Sequence, residues 1–243
     1  HLKDIEINYG SRSGNDDESG ILYSPLFQFI TNPESKLGEI SIEQFRFRFS
    51  PSEFFYHPGY ILFLSGFSSA TLHRLDFVGF SGKLAAQIPW IKFEQFKTVE
   101  INSVNIEKNN ISVRGTSNLI GFYKGNDVFV KNMNFLENDI HVNDGLAFQF
   151  FGFNDMSGVN LMNHSIAGNN LPGEFNLFRV GDVKVNRTTA NSRIQIQDIK
   201  IVNNVNSRSG TFKELFSYIS LQGEVLEQVF ISNIEYRNNS LIG

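Results

Sequence analysis

A six-residue apolar pattern recurs along this chain and limits its fold more than any other feature does. It consists of an apolar residue, two variable residues, an apolar residue, one variable residue and a final apolar residue, and it occurs eight times. The copies are Leu2-Ile5-Ile7, Ile42-Phe45-Phe47, Leu72-Leu75-Phe77, Ile101-Val104-Ile106, Val130-Met133-Phe135, Met156-Val159-Leu161, Ile196-Ile199-Ile201 and Ile231-Ile234-Tyr236. Their middle residues are separated by 40, 30, 29, 29, 26, 40 and 35 residues, which indicates a basic period near 29.

The spacing within each copy predicts a strand that begins with a corner. The last two apolar residues are two apart, as on one face of a strand, whereas the first two are three apart, which interrupts the alternation. Flanking segments such as Val99-Glu100-Ile101 alternate strictly and disfavour a helix. A second strand signal precedes each copy after the first, as at Phe148-Gln149-Phe150, and these segments contain many of the 25 Phe residues, which we expect to fill the core.

These patterns predict an all-β fold, a right-handed parallel β-helix of about eight coils that is uncapped at both ends. The handedness follows from the general preference of parallel crossovers and from nothing specific in the sequence. A β-propeller and a β-sandwich are the alternatives. Both need hairpins, and Asp144-Gly145 is the only Asn-Gly or Asp-Gly dipeptide in the chain. We expect residues 1–243 to form a single β-helix segment of a longer chain, because solenoids need caps and neither end shows one.

A polar turn follows each copy of the pattern. We predict that stacked coils superimpose the side chains of these turns in a hydrogen-bonded ladder, because an Asn amide both donates and accepts. The abundance of Asn makes coincidence the alternative explanation. The expected ladder residues are Asn109, Asn138, His164, Asn204 and Asn239.

Through its rung period, strand alternation and turn residues such as Asn109 and Asn138, the chain resembles the pectin-lyase-like right-handed parallel β-helix superfamily over nearly all of its length. Its coils, which are rich in Asn, Ile and Phe and lack Cys, are also similar in style to β-helix segments of very large surface proteins of ciliated protists. Enzymes of the superfamily use clustered carboxylates, or Arg and Lys with bound calcium, on one outer face of the stack.

Composition excludes several classes of partner. A formal charge of −4 with scattered Lys and Arg argues against nucleic acid binding. No apolar run approaches the length of a transmembrane helix. The chain has no Cys, so disulfides and thiolate metal sites are excluded. We expect no cofactor and no metal.

The outward positions predict no catalytic residues. An acid and base pair requires carboxylates on adjacent rungs, and the variable positions of the copies do not provide them. His73, Arg74 and Asp76 form the best local group, but isolated trios are common on polar faces, so a solvated face explains it better than a catalytic site does. The acidic run at residues 15–20 lacks the spacing of a calcium loop. Four sequons predict N-glycosylation, at Asn110, Asn163, Asn186 and Asn238.

Two functional hypotheses follow. The first is a non-enzymatic extracellular scaffold, a segment of a large cell-surface, adhesin-like or filament-forming glycoprotein that contacts itself or its longer parent chain through open coil ends. The second is a carbohydrate-active protein, similar to a polysaccharide lyase or glycoside hydrolase, or a glycan-binding β-helix whose cleft is walled by the long turns near residues 8–24, 48–60 and 162–192.

Overall fold

A computed structural model describes twelve stretches of the chain, and all structural statements below concern them. They are residues 5–9, 27–30, 38–49, 54–56, 62–85, 89–114, 118–142, 148–172, 175–181, 193–207, 217–221 and 229–242. Asn186, the acidic run at residues 15–20 and most of the expected turns near residues 8–24 and 48–60 lie outside the described residues. The expected long turn at residues 162–192 is corrected, because residues 162–172 and 175–181 are described and lie mostly in strands.

The described residues form 21 strands and no helix. The strands are β1 (Ile5–Tyr9), β2 (Phe27–Ile30), β3 (Glu39–Ile42), β4 (Phe45–Phe49), β5 (Phe54–Tyr56), β6 (Leu62–Leu72), β7 (Leu75–Val78), β8 (Ser81–Ala85), β9 (Ile91–Ile101), β10 (Val104–Glu107), β11 (Asn110–Arg114), β12 (Asn118–Leu136), β13 (Asp139–Val142), β14 (Phe148–Ala167), β15 (Asn170–Pro172), β16 (Phe175–Val180), β17 (Arg193–Val202), β18 (Val205–Ser207), β19 (Ser217–Leu221), β20 (Val229–Arg237) and β21 (Ser240–Ile242).

Each strand pairs in parallel with strands about one period away in the sequence, so the chain is a parallel β-helix. Val104 of β10 pairs with Leu75 of β7 on one side and with Met133 of β12 on the other. Ile106 and Phe135 are direct neighbours in this sheet, as the repeat predicts. A separate seven-stranded parallel sheet, from β5 to β21, forms the remaining side of the coils. The predicted all-β parallel architecture is therefore confirmed.

Single residues in the left-handed backbone region mark the corners of the coils. In each of three corners, the residues with φ between +53° and +74° fall at equivalent positions of successive coils. The first corner contains Gly66, Gln95, Lys124 and Asp155; the second contains Asn132, Asn163, Asp198 and Asn233; the third contains Gly79, Lys108, Glu137, Gly168, Asn203 and Asn238. One such residue bends the strand direction without breaking the stacking, and Asn132, Asn163, Asp198 and Asn233 lie within the three-residue step of the pattern in their coils.

Phe side chains fill the core in rows parallel to the axis of the stack. The rings of Phe93, Phe122 and Phe153 stack with centroids 5.1 and 4.9 Å apart and are essentially inaccessible to solvent. Such offset stacks add to the stabilisation that comes from burying their apolar surface. The expectation that Phe fills the core is confirmed for these residues.

The structure corrects the sixth copy of the pattern. Leu161 pairs with Val130, His164 with Met133 and Ile166 with Phe135, so the true copy is Leu161-His164-Ile166 and lies five residues after the expected one. An apolar template misses it because its middle residue is His. With this correction, the last three separations become 31, 35 and 35 residues. The described stretches show a solenoid of about three complete turns, fewer than the eight or so coils expected.

Candidate functional site

A continuous ladder of Asn side chains, all buried except the last at Asn239, follows the third corner. Each Asn lies one residue after the left-handed position, where its side chain turns into the stack. The Asn138 Oδ1 atom accepts from both the backbone N–H (3.2 Å) and the Nδ2 atom (2.8 Å) of Asn109 in the preceding coil. The Asn138 Nδ2 atom in turn donates to the Ile106 carbonyl at 2.8 Å and to the Asn169 Oδ1 atom at 2.9 Å. The same pattern continues through Asn204 to Asn239.

The ladder therefore consists of Asn109, Asn138, Asn169, Asn204 and Asn239, and the assignment of His164 to it is corrected. Sequence reasoning missed Asn169 because the sixth copy was placed five residues too early. A signal was available, since Asn169 lies 31 residues after Asn138 and 35 before Asn204. The ladder begins at Phe80, whose backbone N–H donates to the Asn109 Oδ1 atom at 2.8 Å.

His164 occupies a core position. Its side chain is 2% exposed and stacks on the Phe178 ring at a centroid distance of 5.3 Å. The Nδ1 atom accepts the backbone N–H of Met133 at 3.3 Å, whereas the buried Nε2 atom has no hydrogen-bond partner among the described residues. Burial lowers the pKa of His164 to about 4, although a hydrogen bond with the Asn163 backbone opposes this shift. The imidazole is therefore neutral at physiological pH.

Asp76 is a buried carboxylate whose acceptor capacity is already used. It accepts hydrogen bonds from Gln44 (2.8 Å), Arg74 (2.9 Å) and Asn105 (2.8 Å), and Arg46 lies 3.5 Å away. Burial alone would raise the pKa of Asp76, but the hydrogen bonds and the charge of Arg74 outweigh it and lower the pKa below its usual value. The structure thus brings Arg74 and Asp76 together within one coil, as the local spacing suggests, and Gln44 and Asn105 donate to the same carboxylate from the neighbouring coils.

His73 does not join this group through its side chain, which is exposed. Only its backbone N–H takes part locally, donating to the Ile42 carbonyl at 2.9 Å. A general base needs a positioned side chain within reach of a substrate proton. The arrangement of His73, Arg74 and Asp76 therefore supports a structural interpretation of the group.

Asp127 is a carboxylate that sequence reasoning did not single out. It lies on the outer face of β12, half-buried, and its carboxylate covers Gly158 of the next coil, where an added Cβ would be 2.3 Å from the Asp127 Oδ1 atom. Burial raises the pKa of Asp127. No sequence signal could have identified it, because the close approach depends on a Gly that is 31 residues away.

Two polar rows border the second corner and enclose a depression of about 360 Å³. One row contains Asn132, Asn163 and Asp198, and the other contains Asn134, Ser165 and Lys200. Hydrogen bonds run along the rows: the Asn163 Nδ2 atom donates to the Asn132 Oδ1 atom at 2.6 Å, and the Asn134 Nδ2 atom donates to the Asn105 Oδ1 atom at 3.1 Å. Amides, hydroxyls and one charge of each sign make this surface suited to a polar, hydroxyl-rich ligand.

Three of the four sequon residues are described, and all three are exposed. Asn110 begins β11, whereas Asn163 and Asn238 are left-handed corner residues. Of the three, Asn163 lines the polar depression. Glycosylation at Asn110, Asn163, Asn186 and Asn238 stays a prediction.

Within the described stretches, no group of three or more His, Asp or Glu residues could hold a metal ion. The same stretches contain no helix long and apolar enough to cross a membrane. Comparisons of the chain with protein-family models, with curated proteins and with solved structures found no match.

Proposed function

We propose that this chain is a non-enzymatic structural scaffold, a β-helical segment of a large extracellular or cell-surface glycoprotein of adhesin-like or filament-forming type. The Asn ladder is the observation that carries the proposal. It joins five successive turns through side-chain hydrogen bonds that are buried as far as Asn204, and Asn109, Asn138 and Asn204 are at most 1% exposed. Because every such bond links one coil to the next, the ladder resists bending and slippage along the stack.

The ion pairs and hydrogen bonds of carboxylates on the outer surface also support a structural role. Glu100 pairs with Lys131 of the next coil, and the three groups that donate to Asp76 belong to three different strands or corners. Glu94 pairs with Lys92 on its own strand at 3.0 Å and lies 3.8 Å from Lys124. These carboxylates are engaged in contacts that tie the surface together, whereas an acid and base pair would need carboxylates facing a substrate.

The edge strand β20 supports assembly by coil stacking. Ile231, Ile234 and Tyr236 continue the core positions of Ile196, Ile199 and Ile201, yet they are 60%, 41% and 59% exposed, compared with 1%, 1% and 6% one coil earlier. We propose that a further parallel coil with apolar residues at these three positions covers β20. Such a coil would repeat the contacts that the described coils make with one another.

Analysis of the protein from its natural source tests the scaffold proposal. We expect glycans on sequon peptides and a parent chain, or an assembly, much larger than the 27.6 kDa of these residues. Unmodified sequons together with a monomeric mass near 27.6 kDa would contradict the proposal. Concentration-dependent elongation in solution would identify a second copy as the source of the covering coil.

A carbohydrate-active or glycan-binding protein, related to the pectin-lyase-like superfamily, is the second candidate. Asp127 favours it, because a half-buried carboxylate with a raised pKa is suited to donate a proton. This candidate predicts depolymerisation of an acidic polysaccharide, with or without calcium, that is lost in Asp127→Asn. Inactivity and absence of binding across a panel of acidic and neutral polysaccharides would eliminate it.

A further inference from the structure

The sequon at Asn163 differs from the other described sequons in its surroundings. All three of its residues, Asn163, His164 and Ser165, line the polar depression at the second corner. Asn163 itself is exposed and adopts φ of 58°, so its side chain projects from the corner. Asn110 and Asn238 are also exposed, but they do not line this depression.

The Asn163 amide is already oriented by a neighbouring coil. Its Nδ2 atom donates to the Asn132 Oδ1 atom at 2.6 Å, and the Asn132 Nδ2 atom donates to the Asn102 carbonyl at 2.9 Å. An N-linked sugar replaces only one of the two amide hydrogens. The remaining N–H can keep the bond to Asn132, which would hold the first sugar in a defined direction.

Polar groups in the depression remain available to a sugar. Lys200 is exposed and has no ion-pair partner among the described residues, and Ser103 and Ser165 contribute hydroxyls. The Asn134 Nδ2 atom donates to the Asn105 Oδ1 atom, which leaves the Asn134 side-chain oxygen as an acceptor. This mixture of donors and acceptors matches the hydroxyls and the acetamido group of an N-acetylhexosamine. A volume of about 360 Å³ lies at the small end of the range for ligand sites, which suits a single sugar and the start of a second.

We propose that Asn163 carries an N-linked glycan whose first N-acetylhexosamine lies in this depression, against Asn134, Ser165 and Lys200. The inference rests on the proposed role as an extracellular glycoprotein. In the modification, the Asn163 Nδ2 atom forms a bond to the anomeric carbon of a polyprenyl-diphosphate-linked oligosaccharide. The bond from that carbon to the diphosphate oxygen breaks, the nitrogen loses one proton, and the polyprenyl diphosphate leaves with the bonding pair. No oxidant or reductant is required.

Release of the glycan by a peptide N-glycosidase tests the proposal. Glycopeptides of the protein from its natural source are first mapped at Asn110, Asn163 and Asn238. We then expect the folded protein to release the Asn163 glycan at least about tenfold more slowly than the glycans at Asn110 and Asn238. This ratio corresponds to a free-energy difference of about 1.4 kcal/mol between the protected and the accessible sugar. After denaturation, the three rates should become equal.

Variants secreted from a eukaryotic host identify the contacts. Lys200→Ala and Asn134→Ala should accelerate release at Asn163 in the folded protein, whereas Lys97→Ala, at an exposed lysine outside the depression, should not. A vacant Asn163 beside glycosylated Asn110 or Asn238, or equal release rates in the folded protein, overturns this inference but leaves the scaffold proposal standing. Absence of glycan at every sequon overturns this inference, and together with a monomeric mass near 27.6 kDa it removes the scaffold proposal as well.

Discussion

The Asn109 side chain donates to the Asn138 Oδ1 atom at 2.8 Å across 29 residues of sequence, and both side chains are 1% exposed. This distance in sequence equals the repeat period. The bond therefore joins equivalent positions of two adjacent coils and fixes the distance between them. Four more hydrogen bonds surround Asn138: its Oδ1 atom accepts the Asn109 backbone N–H, its own backbone N–H and its Nδ2 atom donate to the Asn169 Oδ1 atom, and its Nδ2 atom also donates to the Ile106 carbonyl. Because Asn138 donates and accepts at the same time, the ladder is a cooperative element of the fold.

Asn138→Ala should destabilise the protein by about 2–4 kcal/mol, because it leaves the Asn109 N–H and the Ile106 carbonyl buried without their partner. Chemical denaturation followed by circular dichroism measures the change. The matched control is Asn134→Ala, which removes the exposed hydrogen bond from Asn134 to Asn105 and should cost less than about 1 kcal/mol. Equal losses in the two variants would show that burial does not strengthen the ladder.

Phe122→Ala should cost about 3–5 kcal/mol, because the ring lies fully buried between Phe93 and Phe153 and its removal leaves a cavity in the row. Phe129→Ala on the outward face of the same strand is the control and should cost far less, since that ring is only half-buried. Thermal unfolding of both variants tests this. A smaller effect for Phe122 than for Phe129 would contradict the described side-chain directions.

The buried His164 should make the protein sensitive to acid. Its folded pKa of about 4 lies below the unfolded value of 6.5, so the unfolded chain binds a proton first as the pH falls. Stability from this group is therefore complete above pH 6.5 and declines down to about pH 4, by about 3 kcal/mol in total.

His164→Leu supplies the control for this pH dependence. Leu fits the apolar column of Met133 and Ile199. We expect the difference in unfolding free energy between the variant and the natural protein to change across this pH window and to be constant above it. A constant difference at every pH would show that His164 titrates normally.

Asp76→Asn should destabilise the protein by about 1.5–3 kcal/mol at neutral pH, since the carboxylate accepts bonds from Arg74, Gln44 and Asn105. The folded pKa of Asp76 is lowered, so its contribution is present above the usual aspartate pKa of 3.8 and is lost as the pH falls through the folded pKa. The side-chain carboxyl resonance should accordingly titrate below pH 3.8.

Glu235→Gln is the control for Asp76→Asn. Glu235 pairs with Arg237, but both side chains are largely exposed, and such pairs contribute at most about 1 kcal/mol. A cost for Asp76→Asn as small as that of Glu235→Gln would mean that the links between the coils at Asp76 contribute little.

The sequence by itself determined the strands, their period and most of the stacking. Apolar residues such as Ile106 and Phe135 recur at one spacing, and only a parallel stack of coils places all copies in one core. Four of the five ladder residues followed from the same register, because Asn109, Asn138, Asn204 and Asn239 keep a constant offset from the pattern.

The tertiary structure alone decided the positions and pKa values of residues that the repeat pattern does not explain. His164 is polar in sequence but lies in the core, because Phe178 stacks on one face and the Met133 N–H satisfies one nitrogen. Lys108 and Glu137 occupy left-handed corners although neither residue favours that backbone region, since the stack above and below imposes the turn. Asp76 and Asp127 look alike in sequence, yet Asn105 and Gln44 of neighbouring coils, together with Arg74, outweigh burial and lower the pKa of the first, whereas burial raises that of the second. These differences arise from contacts between coils, which residue types along one coil do not specify.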